Sequence, residues 1–310
     1  MKILITGASG FIGSWVARKL AAENEVIALI RIESSTYRLD GLHNITILRT
    51  NEKNWASEVE KIHPDVLVLA DWWGVENQFR NDEKQFTNVE RFKLIVDSAI
   101  TSGVRQVIGI GSQAELGPVK NKVYETQPDN PTTFYGQAKV EARKYLLEKN
   151  SSKTSTSWVR VFSTYGPLDT GDWLIPNTVK ALLGKKVMDL TEGEQEWSYL
   201  YISDLADAVL TCVSHRLVGI INCGNPESVT IRSVVLKIAE LLNGGDLLNF
   251  GAIPYRDDQV MFMSPVCESL TIAGWKPRVN IDDGIYEVIQ WLSGEETFAL
   301  TANKIPKVRK

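Results

Sequence analysis

"KILITGASGFIG" (residues 2–13) carries a short apolar run straight into Gly7, Gly10 and Gly13. An apolar run that ends on the spacing G-x-x-G-x-x-G and reopens as a helical pattern is a strand, a tight turn and a helix, in that order. The first glycine permits the turn, and the second lets backbone approach a bound group. The third lets the helix pack closely on the strand. A helix N-terminus delivered this way, with unpaired N–H groups and the positive end of its dipole, suits a diphosphate. Three glycines in a loop prove little by themselves. Between a strand and a helix, beginning at residue 7, they predict a dinucleotide-binding turn.

Working outward, the same alternation continues. Strand candidates are 2–6, 25–30, 45–48, 65–70, 106–110 and 157–162, with helical patterns at about 11–22, 52–62, 82–102 and 134–149. The strands are nearly continuous apolar runs, as expected when helices cover both faces of a parallel sheet. The fold class is therefore α/β, a Rossmann-type doubly wound parallel sheet. Beyond about residue 165 the pattern changes: "YGPLDTGDWLIP" reads as loop and 194–202 as an extended segment. We expect a first domain over 1–165 and a smaller C-terminal substrate-binding lobe over 166–310, with 203–225 returning to the first. The two are interleaved. Helical patterns near 230–243 and 281–292 belong to the smaller lobe.

Composition narrows the function classes. The 310 residues carry a net charge of −4, so no broad basic surface invites nucleic acid. The basic ending "KIPKVRK" (304–310) reads as a solvated tail. Cys212, Cys223 and Cys267 are odd in number and form no CxxC pair, which points to reduced thiols in a cytoplasm. His43, His63 and His215 are isolated, so no metal site is expected. No apolar run approaches the ~20 residues of a membrane helix, and a strand beginning at Lys2 leaves no room for a signal peptide.

After the second strand, sites for NAD usually place an acid on the adenosine 2′-hydroxyl. This chain has Ile30 there, followed by Arg31, with Ser34, Ser35 and Arg38 close behind. A guanidinium suits a 2′-phosphate through forked, charge-assisted hydrogen bonds. NADP(H) is the expected cofactor, with NAD(H) second.

"YGQAK" puts Tyr135 and Lys139 one helical turn apart on a single face. An ammonium beside a phenol favours the phenolate, so the tyrosine pKa is expected to fall from its reference near ~10. Tyr135 then serves as acid or base for a carbonyl/alcohol pair. The spacing alone is weak, because Tyr145 and Lys149 repeat it. Tyr135, however, opens its helix after "PDNPTTF", facing the carboxyl edge of the sheet. Tyr145 is rotated by a net ~280° and reads as a packing residue. "VIGIGSQAELGP" (107–118) ends the fifth strand on Ser112, at that same edge. Ser112, Tyr135 and Lys139 thus converge.

With these residues in place, the sequence resembles the extended short-chain dehydrogenase/reductases that act on nucleotide sugars. The resemblance rests on "TGASGFIG" (6–13), Asn88 in "FTNVERF", "GSQAELG" (111–117), "YGQAK" (135–139), "RVFSTYGP" (160–167) and "WSYLYISDLADAV" (197–209). It spans about residues 2–292. It implies catalysis by Ser112, Tyr135 and Lys139, with Lys139 also holding the nicotinamide ribose. It further implies cofactor contacts from Gly7, Ser9, Gly10, Phe11, Ile12, Arg31, Ala70, Tyr135 and Lys139. Substrate contacts are implied for Ser112, Gln113, Ser163 and Arg256, the last in "PYRDDQ" on the sugar-nucleotide diphosphate. Trp72, Trp73 and Trp173 are candidates for the cleft wall. A homodimer built on the helices at 82–102 and 134–149 is implied by analogy.

The family's 4,6-dehydratases carry an Asp-Glu pair after the catalytic Ser/Thr, and here Gln113 and Ala114 stand there. An amide and a methyl cannot shuttle the protons of an elimination. "GSQAE" and "WSYLY" instead resemble the NADPH-dependent 4-ketoreductases of the CDP-abequose synthase kind. Departures from the family pattern are Leu116 for Tyr, Ser163 for Asn, and Trp197-Ser198 for Arg-Asp. The expected activity is reduction of a keto group, at C4, on a nucleotide-linked 6-deoxysugar. A 4-epimerase with retained cofactor is the nearest alternative, and a non-catalytic NADP-binding sensor is an alternative of another class.

Overall fold

The computed structural model describes residues 1–256 and 259–294. Its first half alternates strand and helix: β1 (Lys2–Thr6), α1 (Phe11–Leu20), β2 (Glu25–Ile30), β3 (Ile45–Arg49), α2 (Trp55–Ile62), β4 (Val66–Leu69), α3 (Gln85–Thr101), β5 (Gln106–Ser112), α4 (Phe134–Glu148) and β6 (Ser155–Val161). The second half contains β7 (Ser163–Tyr165), α5 (Leu174–Leu183), β8 (Met188–Leu190), β9 (Glu196–Tyr201), α6 (Ile202–His215) and β10 (Gly219–Cys223). It continues with β11 (Ser228–Thr230), α7 (Ile231–Leu242), β12 (Leu248–Phe250), β13 (Phe262–Met263), α8 (Glu268–Ile272) and α9 (Ile281–Ser293).

Seven strands pair in the order β10–β6–β5–β4–β1–β2–β3, each parallel to its neighbours. This is the doubly wound sheet that the apolar strands predict. The order reverses between β1 and β4, so the crevice at their carboxyl ends is where such sheets bind ligands. Each face carries its own core. One gathers Val16, Ala17 and Leu20 of α1 with Leu205, Ala208 and Val209 of α6. The other gathers Val59 of α2, Ile95 and Val96 of α3, and Leu146 of α4.

The late strand β10 pairs with β6 over its whole length, so chain from beyond residue 215 completes the first sheet. A second, small sheet is built on β9, which pairs with β7, β11 and β13, while β8 pairs with β12. The loop reading of "YGPLDTGDWLIP" holds only from Gly166 to Trp173, because Tyr165 ends β7 and α5 begins at Leu174. Its Pro176 lies in the first turn, where the missing N–H costs nothing, so a residue that reads as a breaker is here a helix starter.

Among the described residues no helix is long and apolar enough to cross a membrane. Nor does any group of three or more His, Cys, Asp or Glu there suit a metal ion. All three cysteines are buried. The "KIPKVRK" stretch lies outside the described residues, as does the end of the expected second lobe.

Candidate active site

The glycine turn is fixed by contact as well as by conformation. Gly7 adopts φ +70°, and a Cβ there would lie 2.6 Å from the carbonyl carbon of Ala70 and the backbone N of Asp71. The turn after β1 is therefore pressed against the end of β4. We expect Gly7→Ala to cost about 2–4 kcal/mol, from left-handed strain plus overpacking. Denaturant unfolding checks this value.

At α1 the N-cap is Gly10, which supplies no side-chain cap, and the first turn holds no acidic residue. The opening N–H groups are left to a ligand, and nothing there repels an anion. Ser9 and Gly10 line a cleft of about 580 Å³, together with Gly7, Ile30, Arg31, Ser34, Ser35 and Ala70. Phe11 and Ile12 are half-buried against the core behind it. Uncapped donors, a glycine cradle and an elongated cleft together fit a dinucleotide.

At the far end of that cleft Arg31 is exposed, its Nε 3.7 Å from Glu33 and 4.0 Å from Glu52. Arg38 is committed elsewhere. It donates to the Leu168 carbonyl at 3.0 Å, the Ser9 carbonyl at 3.1 Å and Thr170 Oγ1 at 2.8 Å. Arg38 thus ties the glycine turn to the loop before α5.

The three residues singled out by motif do not line that cleft. They lie behind Trp72, which does, and which meets the Tyr135 ring edge-on and lies under the Lys139 ammonium. Ser112 terminates β5, and its hydroxyl has two engagements. It accepts from the Ala114 N–H at 3.2 Å, capping the short turn that follows, and it shares a hydrogen bond with Tyr135. Tyr135 is 6 % exposed at the start of α4, where Thr133 Oγ1 caps the helix. Tyr145, by contrast, bonds to Asp97 on α3, away from Ser112.

The expected lowering of the Tyr135 pKa is not found. Burial raises it, against the opposing influences of the Ser112 hydrogen bond and the Arg80 charge. The cause is the burial of the phenol itself. Lys139 beside it is buried, donates to the Ile110 carbonyl at 2.8 Å and sits 3.7 Å over the Trp72 ring. Burial lowers Lys139 to about 7, with Glu115 and Asp71 opposing.

Glu115 was missed as a functional residue, although Ser112-x-x-Glu115 is a capping-box spacing. The carboxylate is fully buried. Its Oε1 accepts from Ser112 N at 2.9 Å and Trp158 Nε1 at 2.8 Å. Its Oε2 accepts from Arg143 at 2.8 Å and Arg160 at 3.3 Å. The glycine before Ser112 serves the same packing: a Cβ on Gly111 would fall 2.1 Å from Trp158 Nε1.

Gln113 donates to Ser163 Oγ at 3.4 Å, while its buried Oε1 has no hydrogen-bond partner. An orphaned buried acceptor beside Ser112 is what a substrate hydroxyl would satisfy. Leu116, where the family pattern has Tyr, is buried with Val123, Phe162 and Met263. Trp72 and Trp73 line the cleft, and Asn88 bonds to both backbone groups of Trp73 at 3.0 and 3.1 Å. Arg256 is exposed on the loop after β12 and is not part of the cleft lining.

Arg80 carries no motif, and sequence reasoning passed over it. Its guanidinium lies 5.4 Å from the Tyr135 ring centre and 5.9 Å from that of Trp173.

Comparison with known proteins agrees with the fold. The family model described as the NAD dependent epimerase/dehydratase family matches residues 3–224. The UDP-N-acetyl-alpha-D-glucosaminuronate decarboxylase of Bacillus cytotoxicus is 25 % identical, over 94 % of this chain and 97 % of its own. Among solved structures, the UDP-N-acetylglucosamine 4-epimerase from Methanobrevibacter ruminantium, in complex with UDP-N-acetylmuramic acid, superposes with a TM-score of 0.86. It is 20 % identical, over 94 % of this chain and 98 % of that one. The Thermus thermophilus UDP-glucose 4-epimerase, in complex with NAD, gives a TM-score of 0.84 at 21 % identity, covering 95 % of this chain and all of its own.

Proposed function

The chain belongs to the NAD dependent epimerase/dehydratase family, and from that premise we propose that it is a nucleotide-sugar ketoreductase. It would reduce a keto group, at C4, on a nucleotide-linked 6-deoxysugar with NADPH. The nicotinamide, when bound, supplies the hydride. Tyr135 gives its proton to the developing alkoxide, and Ser112 hydrogen-bonds the same oxygen. Lys139 holds the ribose, the glycine turn with Ser9 and Gly10 takes the diphosphate, and Gln113 and Ser163 orient the sugar. Arg256 is kept as the contact to the sugar-nucleotide diphosphate.

The observation that carries this reading is the turn after Ser112, where Gln113 and Ala114 stand in place of an acid pair and the buried Gln113 Oε1 has no hydrogen-bond partner, so that the turn offers a substrate an amide and no proton shuttle. Burial raises the Tyr135 phenol, in keeping with a proton donor. Dehydration is disfavoured because Glu115, the one acid in "SQAE", has both oxygens occupied. The test is a panel of CDP-, GDP-, UDP- and dTDP-linked 4-keto sugars with NADPH, followed by its absorbance. Net NADPH oxidation supports the proposal. Exchange at C4 without net oxidation, or NAD(H) carried through purification, establishes the epimerase instead.

The NADP(H) preference rests on Arg31 with Ser34 and Ser35. Arg31→Ala is expected to weaken NADPH binding about tenfold or more while leaving NADH within about twofold, as hydrogen bonds to charged groups are worth roughly 1.5–3 kcal/mol. Fluorescence titration of the two cofactors reads this directly. A cytoplasmic location and a homodimer across α3 and α4 belong to the same proposal, and sedimentation of the purified protein checks the dimer.

A further inference from the structure

We infer that Glu52 is the carboxylate that the end of β2 lacks, and that it sets how strongly the cleft tells a ribose 2′-hydroxyl from a 2′-phosphate. This rests on the reading that places the adenosine 2′ position beside Arg31. Arg31 and Glu52 then pull in opposite directions, and the cofactor preference is their balance.

The sheet register brings Glu52 to that place. Ile30, the last residue of β2, pairs with Arg49, the last of β3, and its carbonyl accepts the Thr50 N–H at 3.1 Å. The chain leaving β3 thus runs beside the chain leaving β2, and Glu52 arrives next to the turn that carries Arg31. Arg49 fixes that turn: its Nη1 donates to the Ile32 carbonyl at 2.9 Å and the Ser34 carbonyl at 2.7 Å. The Ser34 N–H closes the turn on the Arg31 carbonyl at 3.2 Å. Glu52, Arg31, Ser34 and Ser35 all line the cleft.

The carboxylate is also held in place. Glu52 Oε2 accepts from Arg91 Nη1 at 3.3 Å. Arg91 is itself anchored, with Nε and Nη2 donating to Asp71 Oδ2 at 3.2 and 3.0 Å and Nη2 also to Asn88 Oδ1 at 3.1 Å. The other oxygen, Oε1, lies 4.0 Å from Arg31 Nε, too far for a direct hydrogen bond. It is left to accept from a ribose hydroxyl. Toward a phosphate the same oxygen has no proton to give, and it repels. A guanidinium has the reverse preference, since it forks onto phosphate. Glu33 also approaches Arg31, at 3.7 Å, but its side chain is 73 % exposed and water screens it.

The test needs no sugar substrate. Paired titrations with NADPH and NADH give the ratio of the NADH to the NADPH dissociation constant for each variant. Glu52→Gln is expected to raise that ratio about fivefold or more, the scale of one partly screened charge. Glu52→Asp, which keeps the charge, and Glu33→Gln are both expected to stay within about twofold of wild type. A ratio in Glu52→Gln that is unmoved or lowered overturns the inference, as does an equal rise in Glu52→Asp or Glu33→Gln. Circular dichroism identifies misfolding, and Glu52→Ser carries the comparison should Glu52→Gln fail to fold. The two readings fail separately. An unmoved ratio in Glu52→Gln beside weakened NADPH binding in Arg31→Ala overturns the role of Glu52 and leaves that of Arg31 standing. A wild-type preference for NADH removes the choice of NADPH, while a raised ratio in Glu52→Gln still upholds the inference.

Discussion

Replacing Tyr135 by Phe is expected to lower turnover by about a hundredfold to ten-thousandfold, the range for removing a positioned general acid. Binding of the dinucleotide should stay within about twofold. The ring is buried, and it is met edge-on by Trp72 and overlain by Arg80; phenylalanine preserves those contacts. What is lost is the hydroxyl, and with it the hydrogen bond to Ser112. Steady-state turnover on the responsive nucleotide sugar, paired with cofactor titration, separates the two effects. Unaltered turnover would remove the ketoreductase mechanism, and the non-catalytic sensor would then take its place. The pH dependence follows with its sign. A phenol held above its usual range is protonated, and competent as a donor, throughout the neutral region. The Tyr135 contribution to reduction is therefore expected to fall on the alkaline side, as Tyr135 loses its proton, apart from any change near 7 set by Lys139.

The second large effect is structural. Glu115→Ala leaves Arg143 and Arg160 buried without the carboxylate they share, and breaking a buried pair by removing one partner costs about 3–5 kcal/mol. In a chain of this size that lowers the melting temperature by on the order of 10 °C. Arg160 is fully buried, and its other contacts are Asn222 Oδ1 at 3.3 Å and, more distantly, Asp129 Oδ1 at 3.9 Å. Arg143 keeps Asp129 at 2.5 Å. The burden therefore falls mainly on Arg160. Glu115→Gln keeps an acceptor for the Ser112 N–H and is expected to be the milder change. Calorimetry of both variants checks the order. Equal melting temperatures for wild type and Glu115→Ala would show that the arginines find other partners.

Much of this architecture was legible before any coordinates. β1, β2 and the glycine turn follow from apolar runs and spacing, and α4 from a pattern opening after "PDNPTT". What escaped was what depends on burial and on distant chain. α5 was hidden by Pro176, whose tolerance depends on its place in the first turn. The direction of the Tyr135 shift was misjudged because the i, i+4 spacing puts Lys139 near the ring but says nothing of how deeply the phenol is buried. Arg80 lies 55 residues before Tyr135, in a loop without periodicity, and only the folded chain brings them together. Glu115 was readable as half of a capping box, yet its two arginines were not.

The pairing of β10 with β6 has a consequence for how the molecule is made. Every residue of β6 is buried, and until Gly219–Cys223 arrives its outer edge presents unpaired N–H and C=O groups flanked by apolar side chains. On the ribosome this edge is exposed while some sixty further residues are synthesised, at a few residues per second or faster. A nascent chain halted in that interval resembles an open template for strand addition. Fragments ending between β6 and β10 should accordingly be the aggregating species in a truncation series, and those ending after β10 should recover solubility.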